Sequence, residues 1–334
     1  MHSVITRRGV LLGLGATLAP LAWAQKQQQD GAETFTGFPG TRVRFASVEA
    51  GQSVLTADDE WMAATSEFQR RAVMGSAEPV TLEAFRRWNA EAVLPWPADQ
   101  STRWRVALES LVPSFTALRI PLPSEVWLIA TNGQESANAP YTRANAVVLP
   151  GESTMAGYTD SMLLAHELWH VASRHAPALA SRLYAEIGFE PMAPLAFPEA
   201  WAPVRIANPD APQNRHAMQI QVGGRTPWVT PVLVAARTAL QPGETFFTVM
   251  DVRLLEVEPG PVGGVSRAVL REGVPVWHAL QARHDYLRRL GGNTGYVIHC
   301  EEAMADNVAL LATAMEPRNP ALLARIKAVL LAPR

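Results

Sequence analysis

One cysteine, Cys300, stands in a chain of 334 residues, which excludes a framework of intrachain disulfides. Stability must come from a packed core. Basic charge is also missing: 29 Lys and Arg against 31 Asp and Glu leave −2, or −4 without Arg7 and Arg8. Such a balance supplies no electrostatic footprint for nucleic acid or an anionic lipid surface. The apolar run from Gly9 to Pro20 is broken by Gly13, Gly15 and Thr17 and falls short of the about 18 apolar residues that a stable membrane span needs. Gly13 and Gly15 mimic a dinucleotide fingerprint, but no strand precedes them, so that reading lapses. No internal repeat is visible. With 48% hydrophobic and 18% charged residues, the composition is that of a globular protein.

Against this background one motif carries chemistry: His166-Glu167-Leu168-Trp169-His170. Helical residues turn by about 100°, so positions four apart lie about 40° from each other, and both imidazoles can reach one metal ion. Glu167 then projects beside that face, placed to take a proton from activated water. The flanks support a helix, with Thr159 or Asp160 as cap, Met162 to Ala165 as apolar face, and Pro177 forbidding extension much beyond His175.

A hydrolytic zinc site has three protein ligands and an open position, so a third ligand is required. His175 lies nine residues after His166, on the opposite face of the helix, and the metzincin spacing fails because Ser173 and Ala176 occupy its Gly and His positions. Glu190 sits where a helix has just ended, between Phe189 and Pro191, with no acid four residues later. Glu301 and Glu302 open a convincing helix through Val308, Leu310 and Leu311, and Asp306 shares a face with Glu302. One carboxylate of that pair can bind metal while the other orients a ligand histidine. Cys300, beside them, reads as a small packed residue.

The pair of motifs, H-E-x-x-H at 166–170 and E-x-x-x-D at 302–306, resembles the gluzincin group of zinc metallopeptidases, the thermolysin-like arrangement. The resemblance covers only these motifs, and about 130 residues separate His170 from Glu302, far more than in the thermolysin pattern. It implies one Zn2+ held by His166, His170 and Glu302, Glu167 as general base, and Asp306 as the partner of a ligand histidine. Tyr296 and His284 are candidate donors to the developing oxyanion.

Around the motifs the chain reads as an α+β protein with a zincin-like core. Helices are expected over 58–71, 81–92 and 104–111, and strands over 124–130 and 143–149 joined by a loop at Asn132-Gly133. The second strand can pair with an extended peptide, bringing Tyr141, Arg143 and Asn145 near it. A helix over 178–187 follows the motif. Alternating segments at 218–222, 232–234, 246–250 and 254–257 predict a β-rich insertion at about 204–258 between the two ligand helices. Helices at 277–290, at Glu302 and at 320–331 complete the chain.

Arg7-Arg8 ahead of the apolar run, with Ala22-Trp23-Ala24 before Gln25, looks like a twin-arginine export signal over residues 1–24. A flexible polar tail at 25–40 and a single catalytic domain at 41–334 follow. The expectation is a periplasmic or secreted zinc metallopeptidase with a peptide or protein substrate, no nucleic acid, and no stable membrane span after signal cleavage. A second reading, a zinc-stabilised cell-envelope binding protein without catalysis, needs the ligands but gives Glu167 no task.

Overall fold

The computed structural model describes residues 33–151, 157–261, 263–280 and 284–333. The expected export signal and most of the polar tail lie outside the described residues. That tail was expected to reach residue 40, but Thr34–Phe35 already forms a strand, β1, against Arg42–Phe45, β2. Phe35 and Phe38 are the reason: both rings are buried in the main core.

The first sheet has the order β1-β2-β3-β5-β4, where β3 is Glu125–Thr131, β4 is Tyr141–Arg143 and β5 is Ala146–Pro150. Strands β2, β3 and β5 are parallel and the two edges are antiparallel. Nearly every residue of β3 and β5 is buried, because helices cover both faces, which explains their continuous apolar sequences. Val48–Leu55, α1, covers one face, where Leu55 meets Trp127, Ile129 and Val148.

Three short helices follow: Glu60–Ala64, α2; Glu67–Met74, α3; and Leu82–Ala92, α4. The single helix expected over 58–71 is split because Asp59 and Ser66 each act as an N-cap, accepting from Met62 N and Gln69 N. The next helix, Ala98–Ala117, α5, is longer than expected and runs through Pro113, forgoing one backbone bond there. Trp104, Leu108, Leu111 and Phe115 on this helix pack against the other face of the sheet.

The motif helix is Asp160–His175, α6, capped by Thr159 Oγ1, which accepts from Met162 N. Pro177 begins the following helix, Pro177–Ala185, α7. A six-stranded antiparallel sheet comes next: β6, Glu190–Pro191; β7, His216–Gln219; β8, Trp228–Ala235; β9, Met250–Glu258; β10, Arg267–Ala268; and Trp277–Ala279 beside β9. The β-rich insertion thus exists but extends beyond 204–258 on both sides. Residues 246–250 depart from expectation, since Phe246–Val249 forms a helical turn, α8, with Phe246 in a local cluster and Thr248 Oγ1 on the Thr245 carbonyl. The helix expected over 277–290 divides into the strand at 277–279 and the short helix His284–Arg289, α9.

Last come Cys300–Thr313, α10, and Pro320–Leu331, α11. Helix α10 lies against α6 with Ala303, Met304, Val308 and Ala309 in the main core. Its N-terminus is capped by His299 Nδ1, which accepts from Glu301 N. Among the described residues, no helix is long and apolar enough to cross a membrane.

Candidate metal centre

Helices α6 and α10 run antiparallel at the site, because His166 meets Asp306 while His170, one turn later, meets Glu301. The i, i+4 spacing turns both imidazoles toward α10, their ring centroids 4.7 Å apart. His166 Nε2 is 3.1 Å from Glu302 Oε2, and His170 Nε2 is 3.5 Å from the same oxygen. These three side chains are buried, and their ligand atoms converge closely enough for one ion.

The far nitrogens are fixed with equal care. His166 Nδ1 donates to Asp306 Oδ1 at 2.7 Å, and His170 Nδ1 donates to Glu301 Oε1 at 2.8 Å. A carboxylate only accepts, so both Nδ1 atoms carry hydrogens and each Nε2 is directed at Glu302. Asp306 in turn accepts from Tyr158 and Thr294 hydroxyls, and Glu301 from Tyr184 and Ser173, the latter at 2.6 Å. Asn208 Nδ2 donates to the other oxygen of Glu302. Each acidic side chain is thereby held in one orientation before any ion arrives.

Electrostatics favour positive charge at the convergence point. Burial works to lower the His166 pKa, yet hydrogen bonds to Asp306 and Glu302 overcome it and raise the group to about 10. His170 is likewise raised, with the carboxylates of Asp210 and Glu302 outweighing burial. Protons therefore occupy the Nε2 positions when nothing else does, and a divalent ion would displace them. His170 Nε2 has no hydrogen-bond partner. Two imidazoles and a carboxylate, each oriented from behind, form a donor set that can hold a metal ion.

Glu167, although adjacent to His166, faces a cleft of about 480 Å³ together with Asp210, Phe247 and Tyr296. Its Oε2 is buried without a hydrogen-bond partner. Burial and then the nearby Asp210 carboxylate push the Glu167 carboxyl up to about 8. Asp210 accepts from both Thr142 N at 2.7 Å and Thr142 Oγ1 at 2.5 Å, and Arg174 also reaches Thr142.

Of the residues anticipated from sequence, His166, Glu167, His170, Glu302 and Asp306 are brought together, and Tyr296 stacks on the His166 ring with centroids 5.9 Å apart. His284 is not among them. It is exposed at the start of α9, where the buried residue is Tyr286, bonded to the Val297 carbonyl. Glu190 lies exposed in β6 and His175 exposed at the end of α6, which removes both as ligands. The expectation of a peptide-pairing strand at 143–149 also changes. The chain makes a hairpin at Ala144-Asn145, so β5 is interior and β4 is the edge. Arg143 is buried on Asp59, and Asn145 bonds the Glu125 carbonyl. The outward N–H of Thr142 is already taken by Asp210.

Sequence reasoning did not assign Glu301, Tyr158, Tyr184, Asn208 or Asp210 to the site. For Glu301 a signal existed: adjacent helical residues diverge by about 100°, so neighbouring acids can serve two different histidines. No protein-family model matches the chain, and comparisons with curated proteins and with solved structures find no match.

Proposed function

We propose that the protein is an exported zinc metallopeptidase of gluzincin type with a zincin-like core. The carrying observation is that both Nε2 atoms face Glu302 Oε2 while a buried carboxylate holds each Nδ1. A merely structural pair of histidines needs no unpartnered acid alongside, yet Glu167 Oε2 stands free at the cleft. The zincin-like reading draws support from a mixed sheet whose antiparallel edge strand, β4, tethers the cleft residue Asp210. The export reading rests on residues 1–24 alone.

His166, His170 and Glu302 would hold the zinc, which when bound supplies Lewis acidity toward a carbonyl and toward water. Glu167, which a cation at the neighbouring ligands would return to its ionised form, accepts the water proton on its free Oε2 and returns it to the leaving amine nitrogen. Tyr296 lines the same cleft, and burial keeps its phenol well above the usual range, so it remains an O–H donor for the oxyanion. Asp306 and Glu301 keep the imidazoles in the tautomer that binds metal.

The test is Glu167→Gln. It should retain equimolar metal and a native melting transition while hydrolysis of a mixed peptide library falls by about 100-fold or more. Equal peptide release by both proteins would refute the assignment and favour a zinc-stabilised binding protein.

A further inference from the structure

Next to the metal cleft lies a second, smaller cavity of about 70 Å³, sharing Ala139, Pro140, Asp210, Phe247 and Tyr296 with it. Its walls are largely apolar, formed by Trp61, Val73, Ile206, Leu233, Phe246 and Met250. Its polar lining includes Gln69, Asn208 and Asp210, and two further polar side chains are deeply buried there. Glu135 is 2% exposed and Tyr141 3% exposed; neither Glu135 Oε2 nor the Tyr141 hydroxyl makes a well-formed hydrogen bond, and the hydroxyl lies near enough to the carboxylate to favour its ionised form. The other oxygen, Glu135 Oε1, accepts from Thr131 Oγ1 at 2.8 Å.

The loop at 132–138 is built to hold this carboxylate. Gly133 has φ +81°, and a Cβ there would meet Asn138 Oδ1 at 2.1 Å, so the tight turn requires glycine. Gly133 N donates to Thr131 Oγ1, the same hydroxyl that fixes Glu135. An acid held rigidly in a largely apolar cavity with a phenol but no cation beside it costs stability in its ionised form unless a counter-charge completes it. No Lys, Arg or His forms an ion pair with Glu135 among the described residues. Arg143, the nearest cation in sequence, is committed to Asp59. Glu135, Glu167, Asp210 and Glu302 line the combined cleft and cavity, and no Lys or Arg does.

We propose that this cavity is a specificity pocket for a basic side chain of the substrate, its aliphatic stem against Trp61, Leu233 and Phe246 and its cationic head on Glu135. Lysine and arginine both pair an apolar stem with a charged donor, which matches the cavity's apolar walls and its acid without a counter-charge. The inference rests on the peptidase reading for its substrate class. Burial pushes the Glu135 carboxyl above the usual carboxylate range, and a bound cation supplies the counter-charge that restores ionisation.

Two measurements on metal-loaded protein test the pocket, one of them independent of hydrolysis. The first is NMR titration with n-butylguanidinium and its uncharged isostere n-butylurea. Wild type should bind the cation about tenfold or more tightly than the urea, and Glu135→Gln should bring the two within about threefold. The second compares kcat/KM for peptides differing only in Lys or norleucine at one position, scanned along the chain. A preference for Lys of about tenfold at one position should vanish in Glu135→Gln. If wild type binds butylguanidinium no better than butylurea, the pocket proposal is overturned, even where peptides are cleaved and even if the variant does not fold. If the cation is preferred but no peptide is cleaved, the pocket stands and the peptidase reading falls.

Discussion

Replacing Asp306 by asparagine changes one charge at the back of the site and almost no volume. In the native protein Asp306 accepts His166 Nδ1–H at 2.7 Å and the hydroxyls of Tyr158 and Thr294. Asparagine can still accept from His166 through its carbonyl oxygen. Its amide replaces an acceptor with a donor, so one of the two hydroxyls must rotate and accept instead. Folding should survive, because no buried polar group is left without a possible partner. What is lost is the negative charge that makes the imidazole a stronger metal ligand and favours its position. Outer partners of metal-bound histidine contribute about 10- to 100-fold in affinity, equivalent to about 1.4 to 2.7 kcal/mol. The expected outcome is a zinc affinity lower by that factor, measured by competition with a chromophoric chelator, at an unchanged stoichiometry of one. Hydrolysis at saturating zinc should fall less than it does in Glu167→Gln. Indistinguishable affinities for wild type and variant would refute the reasoning, since they would mean that the His166–Asp306 bond is only packing.

Three further outcomes follow from other parts of the molecule. Glu301→Gln should weaken zinc by a similar 10- to 100-fold, as it holds His170 in the way Asp306 holds His166, and Glu190→Gln, exposed in β6, should change nothing in the same chelator assay. Leu168→Ala removes a fully buried side chain of α6 and should cost about 2 to 5 kcal/mol in urea unfolding; Val106→Ala, at a 59% exposed position, should cost less than about 0.5 kcal/mol. Burial, with His299 and Arg215 adding repulsion, lowers His216 to about 4. The unfolded chain then binds the extra proton first, so stability is full above about 6.5 and falls as pH drops toward 4, by on the order of 3 kcal/mol; a His216→Gln protein with the same slope of urea midpoint against pH in that window would contradict this.

What could be read from the sequence divides along the range of the interactions involved. The two histidines and Glu167 were legible because a helix fixes their relation locally: a spacing of four decides the face, and Thr159 and Pro177 mark the ends. Glu302 and Asp306 followed from the same arithmetic on a second helix. The edge strand was misread for a local reason too, since Ala144, at φ +49°, turns the chain where neither glycine nor an Asn-Gly pair announces it. Phe246–Val249 was misread because alternation and a helical turn look alike over so few residues.

The residues that escaped notice are those whose meaning is set by the far side of the fold. Asn208 and Asp210 belong to a connecting loop, and nothing in Asn208-Pro209-Asp210 shows that one will bond Glu302 and the other the edge strand at Thr142. Glu135 and Tyr141 lie six positions apart in a segment that reads as turn followed by strand, and only the tertiary structure closes Leu233 and Phe246 over them. The proposed metal centre depends on two helices whose internal spacing is dictated by the backbone, so the candidate ligand set stands or falls on whether α6 and α10 pack side by side, as the apolar cluster holding Ala165, Trp169, Ala303 and Met304 requires. The pocket depends instead on a loop whose shape is imposed by Gly133. Gly133→Ala should therefore act on selectivity alone. It should leave zinc stoichiometry at one and the Glu167-dependent hydrolysis of norleucine peptides measurable, while the preference for lysine over norleucine disappears with the displaced Glu135. Loss of zinc in that variant would show that loop and metal centre are one cooperative unit, and would remove the separation of catalysis from selectivity on which the pocket argument is built.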